Sequence, residues 1–380
     1  MEGNTKADSL YRSEFPYLAS GAVHLNHAGV SPLPLRTADA VSQFARLHSE
    51  QPAEAMRTAW DRLGTCRKRL AALMSVPMDD LAITKNTAHG ISIVADGLDW
   101  REGDEAVFAD CEYPANTYPW LAQKDRGVIS KVVATRPDGT LEPADYASAM
   151  SSRTRIVAVS WVQFGTGYRS DLAALAEIAH KNGALLLVDV IQGLGAFPLD
   201  IVGRGVDIAA TGSQKWLLGP LGVGGLYIHP NALNHLRLVN MGSASVKNVP
   251  AFSPLGFDPK PNAQRYEEGT PNLLGLIGLS ESLSLIEEAG IANIAEQILA
   301  INRYAAEQLR RRGYEIVSPE REGHRSGILI FRHPTVPSEQ LATSLQAAGV
   351  IAVPRGGGIR FAPHFYLNEG DMDRAIAALP

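Results

Sequence analysis

The stretches ALLLVDVIQG, residues 184–193, and ATGSQKWLLGPLGVGG, residues 210–225, decide the reading of this chain. Leu185 to Val188 form an unbroken apolar run, which suits a strand buried on both faces of a sheet. Asp189 ends that run. A carboxylate at the carboxyl end of a buried parallel strand faces the crevice where open α/β sheets bind ligands. Between Asp189 and Lys215 there is room for one connection and a second strand, VDIAAT (206–211), so the lysine is expected at the same sheet edge.

Working outward, short apolar runs alternate with helical patterns: DLAIT (80–84), EAVFAD (105–110), RIVAVSWVQ (155–163) and VGGLYI (223–228). The clearest helix is DLAALAEIAHKNG (171–183), with Asp171 as N-cap, Leu172, Leu175, Ala176 and Ile178 at helical spacing, and Gly183 as the stop. This alternation predicts an α/β fold with a largely parallel sheet. From about 246 to 272 the composition shifts to Pro, Asn and aromatic residues, as in NVPAFSPLGFDPKPNAQRYEEGTPN (248–272). Helical patterns over 273–289 and 291–312 follow, then strands in YEIVSP (314–319) and GILIFRH (327–333), helix SEQLATSLQAAG (338–349), strands around VIAVP (350–354) and GIRFAP (358–363), and a last helix from Asp371. The expected division is an N-terminal arm over 1–20, a large α/β domain over 21–260 and a smaller α+β domain over 261–380.

A length of 380 residues exceeds what one simple core organises, which agrees with two domains. The net charge of −5 carries no basic footprint, so nucleic-acid binding is not expected. The polar N-terminus lacks an apolar core for export, and no run is long enough to span a membrane. The only two cysteines, Cys66 and Cys111, provide neither a disulfide framework nor a metal knuckle, so no metal is expected and a cytoplasmic setting fits.

A lysine amine can form a Schiff base with an aldehyde cofactor, and a buried carboxylate keeps a pyridine nitrogen protonated so that the ring accepts electrons. Lys215 and Asp189 together therefore point to pyridoxal 5′-phosphate (PLP). ITKNTAHGIS (83–92) offers a place for the phosphate. A strand ending at Thr84 and a helix opening near Thr87 present free N–H groups at a positive dipole end, with Thr87, Ala88 and His89 as donors. A nicotinamide dinucleotide is excluded, because GLG (193–195) is not a complete GxGxxG and no acidic ribose reader follows.

With these motifs in place, almost the whole chain resembles the class V aminotransferase family of fold-type I PLP enzymes. That family includes cysteine desulfurases, selenocysteine lyases, cystine C–S lyases, kynureninases and isopenicillin N epimerases. The resemblance implies a large domain with a mostly parallel sheet and a smaller C-terminal α+β domain. VHLNHAGVSPLP (23–34) resembles the family's opening signature, which implies Asn26, His27 and Ala28, beside Gly29, on the substrate side of the cofactor. In DCEYPANTYPW (110–120), Tyr113 falls where desulfurase-like relatives stack a histidine on the ring. A phenol also stacks, but a titratable imidazole is lost.

VDVIQ (188–192) resembles the family's DxxQ pattern, which implies Asp189 on the pyridine nitrogen and Gln192 near the ring's 3-oxygen. Gln163, in SWVQFGTGYRSDL (160–172), is a second group expected near that oxygen or the substrate. Thr211, Ser213 and Gln214 are implied as phosphate or lysine-positioning groups, although the family serine is displaced here. EEGTPN (267–272) resembles the segment that reaches into a second subunit, so Gly269 and Thr270 imply a homodimer with composite sites. GGGIRFAPHFY (356–366) resembles the segment whose arginine binds the substrate α-carboxylate, here Arg360, with Arg355 and Arg169 as further candidates.

The resemblance breaks at one point. Desulfurases carry a nucleophilic cysteine on a small-domain loop, whereas this chain has no cysteine after Cys111 and VIAVPRGGGIRF (350–361) has glycines there. The expected catalytic set is Lys215, Asp189 and Tyr113. The expected reaction on an α-amino acid is elimination at Cβ, ahead of amino transfer or epimerisation, with Trp161, Tyr168, Phe252 and Phe257 as candidate side-chain contacts.

Overall fold

The computed structural model describes residues 11–247 and 256–380, so Phe252 lies outside the described residues. Strand β1 (Val23–His24) opens the order of strands. The central sheet follows with β2 (Leu81–Thr84), β3 (Glu105–Ala109), β4 (Ile129–Val133), β5 (Thr154–Ser160), β6 (Leu185–Asp189), β7 (Ile208–Gly212) and β8 (Gly224–Ile228). Their order is β2–β8–β7–β6–β5–β3–β4. β8 is antiparallel to both its neighbours, and the remaining pairs are parallel. The apolar run Leu186–Val188 is fully buried, as its composition requires.

Strand β4 was not among the expected strands. It lies at the sheet edge with Ile129 and Val132 exposed, so its residues carry no buried-strand signature. Helices α1 (Leu35–Glu50) and α2 (Pro52–Met74) were likewise not expected. α2 begins at Pro52, which suits the first helical position, where no N–H is needed. Helix α3 (Thr87–Gly97) starts from Asn86, whose side chain accepts from the His89 N–H. Helix α4 (Leu172–Lys181) is capped by Asp171, and Gly183 takes the left-handed conformation beyond its end, both as expected.

Helices α5 (Leu273–Ala289) and α6 (Ile291–Arg311) match the two downstream patterns, and α5 packs across α1 and α2. A second sheet is antiparallel, built from β9 (Glu315–Ile316), β10 (Leu329–Arg332), β12 (Val353–Arg355) and β13 (Gly358–Phe361) in the order β12–β13–β10–β9. Strand β11 (Val350–Ile351) pairs in parallel with β1, while α7 (Ser338–Ala347) and α8 (Glu369–Ala377) complete this part. The N-terminal segment then runs on beside β13: Ala362 N–H donates to Leu25 O at 2.8 Å and His27 N–H to Ala362 O at 3.2 Å. This pairing carries Asn26 across to Arg360. Among the described residues no helix is long and apolar enough to cross a membrane.

Candidate active site

Ser160 and Asp189 are register partners at the carboxyl ends of β5 and β6, and Asp189 also pairs with Ala210 of β7. The parallel sheet thus delivers the carboxylate to its carboxyl edge, where Oδ1 accepts from the Ile191 N–H at 2.9 Å. Lys215 sits in the turn that follows β7. That turn is closed by Leu218 N–H to Lys215 O at 3.0 Å and Gly219 N–H to Ser213 O at 2.9 Å. It is also strapped from outside: Ser31 donates its hydroxyl to Lys215 O at 2.6 Å, and Ser282 of α5 donates to Leu218 O at 2.8 Å. Leu218 has φ 55°, a left-handed conformation that a leucine keeps only when its surroundings enforce it. Gly195 leaves space for the same turn, since a Cβ there would lie 2.3 Å from Trp216 O.

Asp189, Lys215, Thr87, Ala88, Tyr113, Gln192 and Gln214 line one cleft. The Lys215 ammonium nitrogen lies 5.5 Å from the Tyr113 ring centroid, and Tyr113 meets Phe164 edge-on at 5.2 Å. Burial pushes the Asp189 carboxyl above the ordinary carboxylate range, and the Ile191 N–H and Lys215 pull it back. Burial likewise pushes the Lys215 amine below the ordinary lysine range. Asp189 opposes that shift, while the charges of Arg360 and Arg355 add to it. The result is an amine that sheds its proton more readily than a solvated lysine does.

Arg360 is buried, donating from Nη2 to Asn26 Oδ1 at 2.9 Å and from Nη1 to Phe164 O at 3.2 Å, while its buried Nε has no partner among the described residues. Gln192 is pinned, donating to Ala28 O at 3.0 Å and accepting from the Trp216 indole N–H at 3.0 Å. Several expected positions fall elsewhere. His27 is fully buried between Ala362 O and the Tyr366 hydroxyl, each at 2.7 Å, where burial drives its imidazole well below its usual range. It ties the N-terminal segment to the region after β13 and does not line the cleft. Gln163 is fully buried and donates to Glu112 Oε1 at 2.7 Å, while its own Oε1 has no partner among the described residues.

Ser213 bonds to Pro220 O and Thr211 to Gly212 O, so both hydroxyls serve their own turn. The His89 N–H is taken by Asn86 Oδ1 at 2.9 Å. His89, with Gly269 and Thr270, lines a second cavity. Trp161 and Tyr168 are buried core residues, Trp161 edge-on to Phe197 and Tyr168 stacked on His324, and Phe257 is exposed. The sequence reading missed Phe164 and Ser160, which line the cleft, and Glu112, which accepts from Ser160, Asn116 and Gln163 behind it. Two signals were available: Ser160 ends a buried strand as Asp189 does, and Glu112 directly precedes Tyr113.

The family model for aminotransferase class V matches residues 23–366. This chain belongs to the class V aminotransferase family. A probable cysteine desulfurase of Methanothermobacter thermautotrophicus is 31% identical over 287 residues, covering 74% of this chain and 71% of that protein. The crystal structure of a cysteine desulfurase of Escherichia coli superimposes with a TM-score of 0.86 at 26% identity, covering 98% of this chain and 97% of that one. A cystine C–S lyase in complex with its product cysteine persulfide has a TM-score of 0.88 at 24% identity, covering 96% and 98%, and shares the fold.

As a class V aminotransferase-fold enzyme, the protein uses pyridoxal 5′-phosphate. Its residues fit that group. The buried Thr87 hydroxyl has no partner among the described residues, and neither do the N–H groups of Thr87 and Ala88 at the start of α3. These are unspent donors of the kind a phosphate satisfies. In the same cleft, the buried Asp189 carboxylate suits a protonated ring nitrogen.

Proposed function

We propose that this class V enzyme is a Cβ–S or Cβ–X lyase that eliminates a leaving group from an α-amino acid without using a protein thiol. The observation that carries this reading is the turn between β12 and β13. Gly356 and Gly357 close it at φ 60° and 77°, and a Cβ on Gly356 would lie 1.9 Å from Gly165 O. A tight two-glycine turn packed on its neighbour leaves no loop from which a cysteine could reach the substrate. Burial pushes both the Cys66 and Cys111 thiols up to about 12, so neither offers a ready thiolate.

Bound PLP supplies an electron sink conjugated with the substrate Cα. In this reading Lys215 would hold the cofactor, and its Nζ is the group that would accept the Cα proton. Its displacement from the ordinary lysine range suits both roles. Asp189 would pair with the ring nitrogen, Tyr113 would stack on the ring, and the donors at Thr87 and Ala88 would hold the phosphate together with Gln214. Arg360, oriented by Asn26, would take the α-carboxylate and so fix the orientation of Cα toward Lys215. Gly269 and Thr270 complete the phosphate site of a second subunit, supported by their lying in a separate cavity from Lys215 of their own chain. The two free thiols suit a reducing, cytoplasmic setting.

The test is incubation of the PLP-loaded protein with an S-substituted cysteine. The expected outcome is one thiol, one pyruvate and one ammonium per substrate and water consumed, with no added 2-oxo acid. Turnover that requires a 2-oxo acid and accumulates a new amino acid would make the protein an aminotransferase. Loss of optical rotation alone would make it an epimerase.

A further inference from the structure

Two guanidinium groups converge on one residue at the rim of the cleft. The Phe164 backbone carbonyl accepts from Arg360 Nη1 at 3.2 Å, and its ring carries the Arg355 guanidinium 5.9 Å from the centroid. Phe164 itself lines the cleft and touches Tyr113, which in turn stands over Lys215. The position of Arg355 is set by the fold. It is the last residue of β12, registered opposite Gly358, and the following turn is locked by the contact of Gly356 with Gly165.

The charge balance at this rim is uneven. Neither Arg355 nor Arg360 has a carboxylate partner among the described residues, and both charges push the Lys215 amine down. The nearby acids are committed elsewhere. Asp189 is the counter-charge of Lys215 and accepts from the Ile191 N–H, and Glu112 is buried and saturated by Ser160, Asn116 and Gln163. An α-carboxylate on Arg360 neutralises one cation and leaves the other. An exposed arginine with no neighbour would simply be hydrated, but this one is seated on an aromatic ring that lines the cleft and shares that residue with Arg360.

We propose that Arg355 binds a second anionic group carried on the substrate's side chain, so that the cleft selects amino acids with an acidic side chain. The inference rests on Arg360 taking the α-carboxylate and is independent of which reaction follows. Combined with elimination at Cβ, it names S-(carboxyalkyl)cysteines as the substrate class: water is consumed, the Cβ–S bond breaks, and a mercapto acid leaves with pyruvate and ammonium.

Glutarate and its monoamide test this without any reaction, because neither has an amine. Calorimetric titration of the PLP-loaded protein should give glutarate an affinity at least about tenfold greater than that of the monoamide at neutral pH, the scale of one charge-assisted bidentate contact. The ratio should fall to within about twofold in Arg355→Gln and recover in part in Arg355→Lys. A structural role for Arg355 would weaken both ligands alike and leave the ratio standing. Equal affinities in the wild type, a preference that survives Arg355→Gln, or no glutarate binding at tens of millimolar would each overturn the proposal. Failure of the elimination reading would show instead in the products from S-substituted cysteines, with the glutarate preference intact.

Discussion

The Ser31 hydroxyl donates to the backbone carbonyl of Lys215 at 2.6 Å, joining residues 184 positions apart. Ser31 N–H also donates to Gln214 O at 2.8 Å, so one residue of the N-terminal segment fixes the lysine turn twice. Ser31→Ala keeps the backbone bond and removes one of the two donors to the Lys215 carbonyl, leaving that of Leu218 N–H, a loss of about 1 kcal/mol. The expected result is a PLP dissociation constant raised about fivefold, with unchanged far-ultraviolet circular dichroism. An unaltered constant would remove Ser31 from the lysine-positioning set.

The environment of Lys215 makes a signed prediction about pH. Burial brings its amine down to about 8 against the attraction of Asp189. The rate at which the cofactor-free protein takes up PLP into a borohydride-reducible link should therefore rise with pH around a midpoint near 8. Asp189→Asn removes the charge that favours the ammonium form, so the midpoint should move down. Arg360→Gln removes a charge that disfavours it, so the midpoint should move up. Peptide mapping after reduction should place the cofactor on Lys215, and a label on another lysine would refute the assignment.

Asp189→Ala should retain measurable cofactor, because the phosphate donors at the start of α3 are untouched. It should lose at least roughly a hundredfold in turnover, because a charge that stabilises the electron-rich ring is gone. Near-normal turnover would show that another group faces the ring nitrogen.

Subunit mixing tests the placement of Gly269 and Thr270. In a composite dimer, a chain with Lys215→Ala and a chain with Thr270→Ala together rebuild one intact site, so refolded mixtures should recover up to about a quarter of wild-type activity. A monomeric mass with no recovery would exclude a shared site.

Thiol independence is checked with Cys66→Ala and Cys111→Ser combined. Alanine is the choice at Cys66 because that position is fully buried in α2, where a hydroxyl would lack a partner. Turnover should stay within about threefold of wild type, under ~1 kcal/mol in barrier. A loss beyond a hundredfold with the fold intact would restore a role for a cysteine.

Much of the architecture was legible because its signals are local. The buried run before Asp189, the Asp171 cap, the Gly183 stop and the paired helical patterns after residue 272 each follow from the chemistry of neighbouring residues. Edge strand β4 was not legible, since half-exposed positions follow no burial rule, and α1 and α2 were missed as well. His27 and Gln163 show the same limit at the site. Their side chains suit a ligand, but buried partners, Ala362 and Tyr366 for one and Glu112 for the other, claim them first.

By itself the sequence determined that an aspartate ends a buried strand, that a lysine follows in a glycine-rich turn, and that a helix opens with free donors nearby. Those facts depend on periodicity and capping over a few residues. Only the tertiary structure decided that Asn26 orients Arg360, that Phe164 gathers two guanidiniums, and that the β12–β13 turn closes against Gly165. These relationships join segments up to 334 positions apart, as for Asn26 and Arg360. Nothing in the local sequence encodes such a meeting, because it is set by sheet register and by which backbones can approach closely once the core has formed.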